Sequence, residues 1–215
     1  MSYTILLVAH IAVLGYWLGS DLCINSEYRF ITHRPDIDFA ARDAMTDHLM
    51  DVDQHVRYAL ILQLTLGAML ASHLAYLPPQ WFWAMPVVGA AWIALVEVAH
   101  RQRRSATGER LAQIDRWVRY AIALALLLAA FGAFDTMPLW LRIKLGLFAA
   151  LIGCGVIIRF FLMRHFRIWA EMREQGPGPE RETIIRTTYR QATMVLLALW
   201  TCVAAMVLLA IFKPI

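Results

Sequence analysis

Six stretches of predominantly apolar sequence, each about 20 residues long, constrain this chain more than any other feature. A helix of that length crosses a hydrocarbon core of about 30 Å, and a backbone in lipid must satisfy its own hydrogen bonds. Hydrophobic residues make up 60% of the 215 residues, whereas a soluble domain is usually about 45–50% apolar. The sequence therefore predicts an all-α, polytopic transmembrane helical bundle, a single integral membrane domain over residues 1–215. The predicted spans are 3–22, 56–77, 81–100, 117–137, 139–161 and 188–211.

Charged residues beside these spans predict the orientation of the bundle. We call the N-terminal side of the membrane side A and the opposite side side B. Segments 21–57, 101–119 and 159–190, all on side B, carry 4, 6 and 7 Lys and Arg, which is 17 of the 20 in the chain. By the positive-inside rule side B is cytoplasmic. We therefore expect a multi-pass protein of the bacterial cytoplasmic (inner) membrane with both termini outside, whose basic residues reflect topology and not a nucleic-acid partner.

An amphipathic segment precedes the second span. Residues 36–55 begin with a helix start signal at Pro35 and Asp36 and then separate two faces at helical spacing. The apolar face holds Ile37, Ala41, Ala44, Met45, Leu49 and Val52, and the polar face holds Asp38, Arg42, Asp43, Asp47 and Asp51. This pattern predicts an interfacial helix that leads into the second span. Its six aspartates are expected to form a solvated face: Asp36, Asp38, Asp43, Asp47, Asp51 and Asp53.

A short sequence repeat suggests a duplication. Residues 49–59 align with residues 111–121, and Leu, Asp, Val, Arg, Tyr and Ala coincide. We interpret this as a duplicated helical hairpin, formed by the second and third spans and by the fourth and fifth. His55 in the first copy is replaced by Trp117 in the second, so chemistry at His55 would not be shared by both halves.

Four of the seven histidines lie in or at the predicted spans, where an ionisable side chain is costly and is a functional candidate by default. His10 and His73 are expected near side A, and His55 and His100 near side B. Two imidazoles that face each other from neighbouring helices can ligate the iron of haem b. The sequence thus predicts one haem held by His10 and His73, and a second by His55 and His100.

The basic residues Arg57 and Arg119 are predicted to pair with haem propionates.

Other interpretations of the polar residues remain open. In one of them each membrane histidine serves only as a hydrogen-bonding strut between helices. Glu97 and His100 have the E-x-x-H spacing of di-metal helices, and Met45, His48 and Met50 are candidate copper ligands. Gly15 and Gly19 form a small-xxx-small pattern that predicts close helix packing.

Three segments resemble a known family. His10, six residues, Trp17, one residue and Gly19 resemble the first helix of the copper-resistance D superfamily. Segment 139–150, with its Lys144-Leu core, resembles a later helix of that superfamily, and segment 116–121 resembles the helix before it. The bacterial membrane protoporphyrinogen oxidases share a similar first helix and a Trp-Leu-His-x-Lys-Leu motif. Here Arg142 occupies the place of that motif's histidine, which counts against oxidase activity.

The resemblance implies a helical bundle in which His10 has a functional place, linked either to haem or to copper. We expect a b-type haem protein that transfers electrons in the membrane, to or from quinone, a redox partner subunit or a second copy of the chain. One alternative is a transporter for copper or another small cation, in which the histidines line a path. Another is a porphyrin-oxidising membrane enzyme, and a further one is a purely structural membrane subunit.

Overall fold

The computed structural model describes residues 3–103, 105–132 and 137–213, and within these residues it contains six α-helices and no strand. The all-α prediction is therefore confirmed. The helices are α1 (Tyr3–His33), α2 (Phe39–His73), α3 (Gln80–Arg101), α4 (Ala106–Ala130), α5 (Leu139–Gln175) and α6 (Pro179–Phe212). Four of them, α1, α3, α5 and α6, are long and apolar enough to span a membrane.

The apolar stretches of these four helices are largely unburied within the chain itself. Only 11% of the α1 stretch is buried, and no more than 22% of any of the others. On α1, for example, Ile5, Val8 and Ile11 are all more than half exposed. Soluble proteins rarely expose contiguous apolar surfaces of this size, whereas lipid tails cover them without cost. The burial pattern thus agrees with a membrane protein.

The boundaries of the other two predicted spans differ from the structure. The interfacial helix and the second span form one continuous helix, α2, which ends at His73 and not at residue 77. Ala75 has a positive φ of 61°, and Pro78 and Pro79 follow, so the chain turns there. Helix α4 ends at Ala130, and the end of the predicted fourth span reaches residues 133–136, outside the described residues. That α2 and α4 cross the membrane stays a prediction.

The chain divides into two compact units. Unit 1 comprises Met1–Tyr28 and Met45–Trp117, and unit 2 comprises Arg29–Ala44 and Val118–Ile215. The boundaries between them fall inside α1, α2 and α4. In unit 2, α5 and α6 form a hairpin that turns at Gly176, whose φ of 81° suits a residue without Cβ. Helix α5 has 37 residues and is about 55 Å long, so it extends well beyond a 30 Å core.

Glycines show where helices approach closely. In unit 1 a Cβ on Gly89 of α3 would lie 2.4 Å from the Thr65 hydroxyl oxygen of α2, so these helices touch at a position that only glycine fits. Around Gly15 and Gly19 nothing lies within 4 Å of such a Cβ. The expected packing at this small-xxx-small pattern is therefore wrong within the described chain, because this face of α1 is open.

Candidate functional site

His10 and Gln63 form a polar pair in unit 1. The side-chain Nε2 of Gln63 lies 3.0 Å from Nε2 of His10. An amide nitrogen can only donate, so the imidazole Nε2 is the acceptor, and a neutral His10 carries its proton on Nδ1. Gly67, one turn further along α2, leaves room for the ring, because a Cβ there would lie 3.4 Å from His10 Cε1. Sequence analysis identified His10 but not Gln63.

The amide oxygen of Gln63 takes no part in the contact with His10. Gln63 is only 8% exposed, and its Oε1 has no hydrogen-bond partner among the described residues. A buried polar atom without a partner costs about 1–3 kcal/mol, so such atoms are usually satisfied or functional. Oε1 can accept a proton donor or contribute to the binding of a cation.

An apolar cluster separates this pair from the side A end of unit 1. Leu6, Met69 and Leu70 form its buried core, and Tyr3, Leu7, Leu66, Phe82 and Met85 pack against it. Beyond the cluster His73 is exposed and stacks on Tyr3, with the ring centroids 6.1 Å apart.

His10 and His73 therefore lie beside different partners. Gln63 and His73 are ten residues apart on α2, which corresponds to about 15 Å along the helix axis. One iron would need both imidazoles in its coordination sphere, whereas His10 contacts Gln63 and His73 contacts Tyr3. Ligation of haem by this pair stays a prediction.

His55 and His100 likewise contact different side chains. The Nδ1 of His55 forms a hydrogen bond with the Tyr16 hydroxyl of α1, and the His55 ring also packs edge-on against Tyr58. The Nε2 of His100 lies 3.1 Å from an Asp51 carboxylate oxygen, which Arg103 also contacts at 3.0 Å. No described contact joins the two histidines, and their ligation of a second haem stays a prediction.

The arginines proposed for the propionates differ in their surroundings. The guanidinium of Arg57 donates to Asp53, one turn earlier on α2, at 2.8 and 3.0 Å. Arg119 is half-buried on α4 in unit 2. Their role towards a haem stays a prediction, and Arg57 already has a carboxylate partner.

A network of ionisable side chains occupies the predicted side B end of unit 1. The Tyr58 hydroxyl donates to Glu97, and Arg101 donates to the other oxygen of that carboxylate. The hydrogen bond from Arg103, supported by that from His100, holds the pKa of Asp51 below its ordinary value. Glu97 and His100 thus have separate partners. Among the described residues no three His, Cys, Asp or Glu side chains are grouped to hold a metal, which counts against the di-metal interpretation.

A buried carboxylate in unit 1 was missed by sequence analysis. Asp115 of α4 is 4% exposed and accepts a hydrogen bond from Trp92 Nε1 of α3 at 2.8 Å. The sequence repeat offered a signal, because it aligns Asp115 with Asp53. The two aspartates nevertheless have different roles: Asp53 pairs within its own helix, and Asp115 joins two helices.

Unit 2 contains a buried ion pair that the sequence did not predict. Arg42 is only 1% exposed, and its two terminal nitrogens lie 2.6 and 3.1 Å from the carboxylate oxygens of Glu182 on α6. Its Nε donates to the Ile31 carbonyl at 3.0 Å, and the guanidinium lies over the Trp169 ring. The helical pattern placed Arg42 on the polar face of the segment before the second span. In the structure its side chain is buried, because these hydrogen bonds and the carboxylate countercharge compensate for the loss of water.

Trp169 connects this ion pair to further polar side chains. Its indole N–H donates to Asp43 at 2.7 Å, and Arg173 donates to the same oxygen at 2.7 Å. The ring of His165 stacks on Trp169 at 5.9 Å, and its Nδ1 lies 3.0 Å from the Thr188 hydroxyl oxygen. Every side chain of this cluster is engaged with another, which indicates a structural role in joining the N-terminal segment of unit 2 to α5 and α6.

Acid is expected to destabilise unit 2 through His165. Burial, together with the nearby Arg42 guanidinium, lowers the pKa of His165 from 6.5 to about 4; the residue lies beyond the predicted span 139–161. Because the folded state binds the proton less tightly than the unfolded state, stability is full above pH 6.5 and falls as the pH drops towards 4. Between pH 7.5 and 5 the loss is about 2 kcal/mol. Denaturant titration in detergent at both pH values measures it, and a His165→Gln variant with an equally large loss would contradict the assignment.

Arg142, which stands in the place of the oxidase histidine, has a local partner. Its Nε donates to the Ala130 carbonyl at the end of α4 at 3.0 Å. This bond satisfies a carbonyl that the helix end leaves without an intrahelical partner. The contact favours a structural role for Arg142 over recognition of a substrate carboxylate.

Comparison with known proteins adds no relative. No protein family, no curated protein and no solved structure matches this chain. The resemblance to the copper-resistance D superfamily therefore stays an expectation from short motifs, and function has to be argued from the side chains themselves.

Proposed function

We propose that unit 1 conducts a small cation, most simply the proton, through the membrane, with His10 and Gln63 as its intramembrane relay. The observation that carries the proposal is the buried, unpartnered Oε1 of Gln63 beside the imidazole of His10. Ionisable groups within a membrane span are costly, and they occur at ion paths and proton relays.

The pair suits both protonation states of the imidazole. When His10 is neutral, its Nε2 accepts the amide N–H of Gln63. When His10 is protonated, Nε2 becomes a donor, and rotation of the amide by half a turn presents Oε1 as the acceptor. A proton that arrives therefore satisfies the oxygen that is otherwise without a partner, and a proton that leaves restores the first arrangement.

The surroundings of the pair differ between its two sides: polar side chains lie towards the predicted side B and apolar ones towards the predicted side A. In the proposed topology all six helices cross the membrane, side B is cytoplasmic, and both termini are outside. The polar network at the side B end reaches Tyr58, five residues or about 7.5 Å along α2 from Gln63. The Leu6, Met69 and Leu70 cluster would form the barrier towards side A.

Flux through reconstituted vesicles tests the proposal. Proteoliposomes with an imposed potassium potential and an internal pH dye should show proton entry that falls at least about tenfold in His10→Ala and in Gln63→Leu. The matched control is His33→Ala, since His33 is an exposed histidine at the end of α1 that belongs to no proposed path. Unchanged flux in both relay variants would refute the relay, and the same assay with Cu⁺ as the only gradient distinguishes a copper path.

The second candidate is the b-type haem electron-transfer protein, acting with quinone or a redox partner subunit. It is favoured by the sequence of unit 1, which contains five of the seven histidines, among them His10, His55, His73 and His100. Bound haem would supply one-electron chemistry, and these side chains would supply axial imidazoles. A Soret band in the purified protein, shifting on reduction with dithionite, is the expected result. Its absence after expression with haem available would exclude this candidate.

A further inference from the structure

We propose that Cys154 and Cys202 together form a binding site for one soft divalent metal ion, of which Hg²⁺ is the simplest probe. Both cysteines are free and half-buried, and they come from the two helices of the α5–α6 hairpin. Their thiol groups are close enough to interact electrostatically with each other. The site lies entirely in unit 2 and does not depend on the proposed cation path.

The register of the hairpin brings the two cysteines to similar depths. It is fixed by the contact between His165 Nδ1 and the Thr188 hydroxyl oxygen at 3.0 Å. Cys154 lies 11 residues from His165, away from the turn between the helices. Cys202 lies 14 residues from Thr188 in the same direction. These separations are about 16.5 Å and 21 Å along the two helices, so the two depths differ by less than one helical turn.

The cysteines lie at the edge of the contact between α5 and α6. Leu151 and Val203, which are within one helical turn of them in the chain, are fully buried, whereas both cysteines are half-buried. Beside Cys154, nothing lies within 4 Å of a Cβ built on Gly155. The pair therefore borders open space that can admit an ion, and it is not enclosed by packed side chains.

The spacing of packed helices favours an ion between the sulfurs over a direct bond. Helices in contact have axes about 8–10 Å apart. A disulfide joins residues whose Cα atoms are about 4.4–6.8 Å apart. An ion between the two sulfurs, with metal–sulfur bonds of about 2.3 Å, adds about 2.5 Å to that reach. Two cysteines at the edge of a helix contact therefore fit a sulfur–metal–sulfur bridge better than a disulfide.

Charge and ligand number select the kind of ion. Thiolates bind soft metal ions, and both cysteines lie in the predicted spans 139–161 and 188–211, where a net charge is costly. Two thiolates neutralise a divalent ion, whereas a monovalent ion would form a negative complex. Zn²⁺ usually takes four ligands, and among the described residues no three His, Cys, Asp or Glu side chains are grouped to hold a metal. A soft divalent ion that accepts two thiolates, such as Hg²⁺, meets both conditions.

Native mass spectrometry of the reduced, detergent-purified protein tests the site. Binding replaces the two thiol protons by two metal–sulfur bonds without a change of oxidation state, so the chain gains one Hg²⁺ and loses two hydrogens. The protein is loaded with one equivalent of HgCl₂ and then challenged with glutathione, a monothiol. We expect removal of Hg²⁺ to need at least about tenfold more glutathione in the unchanged chain than in Cys154→Ser or Cys202→Ser, because the second thiolate binds intramolecularly.

Cys23→Ser is the matched control, because Cys23 is exposed and lies in unit 1. It should hold Hg²⁺ as tightly as the unchanged chain. Circular dichroism checks that each variant keeps its helices, and Cys154→Ala or Cys202→Ala replaces a serine variant that does not. Equal resistance to glutathione in all three serine variants would overturn the proposal. So would protein purified without reductant that is two hydrogens lighter because Cys154 and Cys202 form a disulfide.

Discussion

Replacing Arg42 by methionine is expected to lower the free energy of unfolding by about 3–5 kcal/mol. The substitution removes one partner of a buried ion pair and leaves the Glu182 carboxylate, only 8% exposed, without its countercharge. It also removes the donor to the Ile31 carbonyl and the cation over the Trp169 ring. Denaturant titration in mixed micelles, followed by tryptophan fluorescence and circular dichroism, measures the loss.

A double-mutant cycle separates the ion pair from the packing around it. Glu182→Leu alone should be about as destabilising as Arg42→Met, because it leaves the buried guanidinium of Arg42 without its carboxylate countercharge. The double variant should recover most of the lost stability, since two apolar side chains of similar volume need no countercharge. Arg34→Met is the control: the Arg34–Asp36 pair is about half exposed, and its loss should cost about 0–1 kcal/mol. Single variants no worse than this control would show that the Arg42–Glu182 pair is hydrated.

Replacing Asp115 by leucine is expected to destabilise unit 1 by about 3 kcal/mol. The change removes the carboxylate acceptor of the Trp92 indole N–H between α3 and α4, and both residues are less than 10% exposed. The sequence repeat supplies a matched control in Asp53→Leu. Asp53 occupies the aligned position but pairs with Arg57 one turn away at a half-exposed site, so its loss should cost less than about 1 kcal/mol.

Thermal unfolding in detergent compares the two aspartate variants directly. The Asp115→Leu transition should lie several degrees below that of Asp53→Leu, and red-shifted tryptophan emission would report the altered setting of Trp92. Equal transitions would mean that the repeat positions are equivalent, and that the Asp115–Trp92 bond contributes no more than a pair on one helix.

The number and order of the helices could be predicted because each apolar run is about as long as the helix segment that it forms. The run that predicts the third span, 81–100, matches α3 (Gln80–Arg101) almost to the residue. Helix ends were harder to place. The predicted interfacial helix and second span form the single helix α2, because nothing in segment 36–55 breaks the hydrogen-bond ladder once it has begun at Phe39.

Contacts between helices could not be predicted from spacing. The positions of His10 and His73 give a depth along each helix, but not the rotation that decides which neighbours they face. In the structure His10 meets Gln63, a residue with no recognisable motif around it, and His73 meets Tyr3 and Phe82. Arg42 shows the same limit, because its partner Glu182 is 140 residues away in the sequence.

What the sequence determined by itself is the class of its elements: apolar runs of membrane length favour helices, because a helix satisfies its backbone hydrogen bonds within the segment. Four of these helices are long and apolar enough to span a membrane. What only the tertiary structure decided is which polar side chains meet. The burial of Arg42 against Glu182, the pairing of Gln63 with His10 and the bond from Trp92 to Asp115 each depend on the relative rotation and register of two helices. Those are set by the summed packing of many apolar side chains, which no local pattern in the chain records.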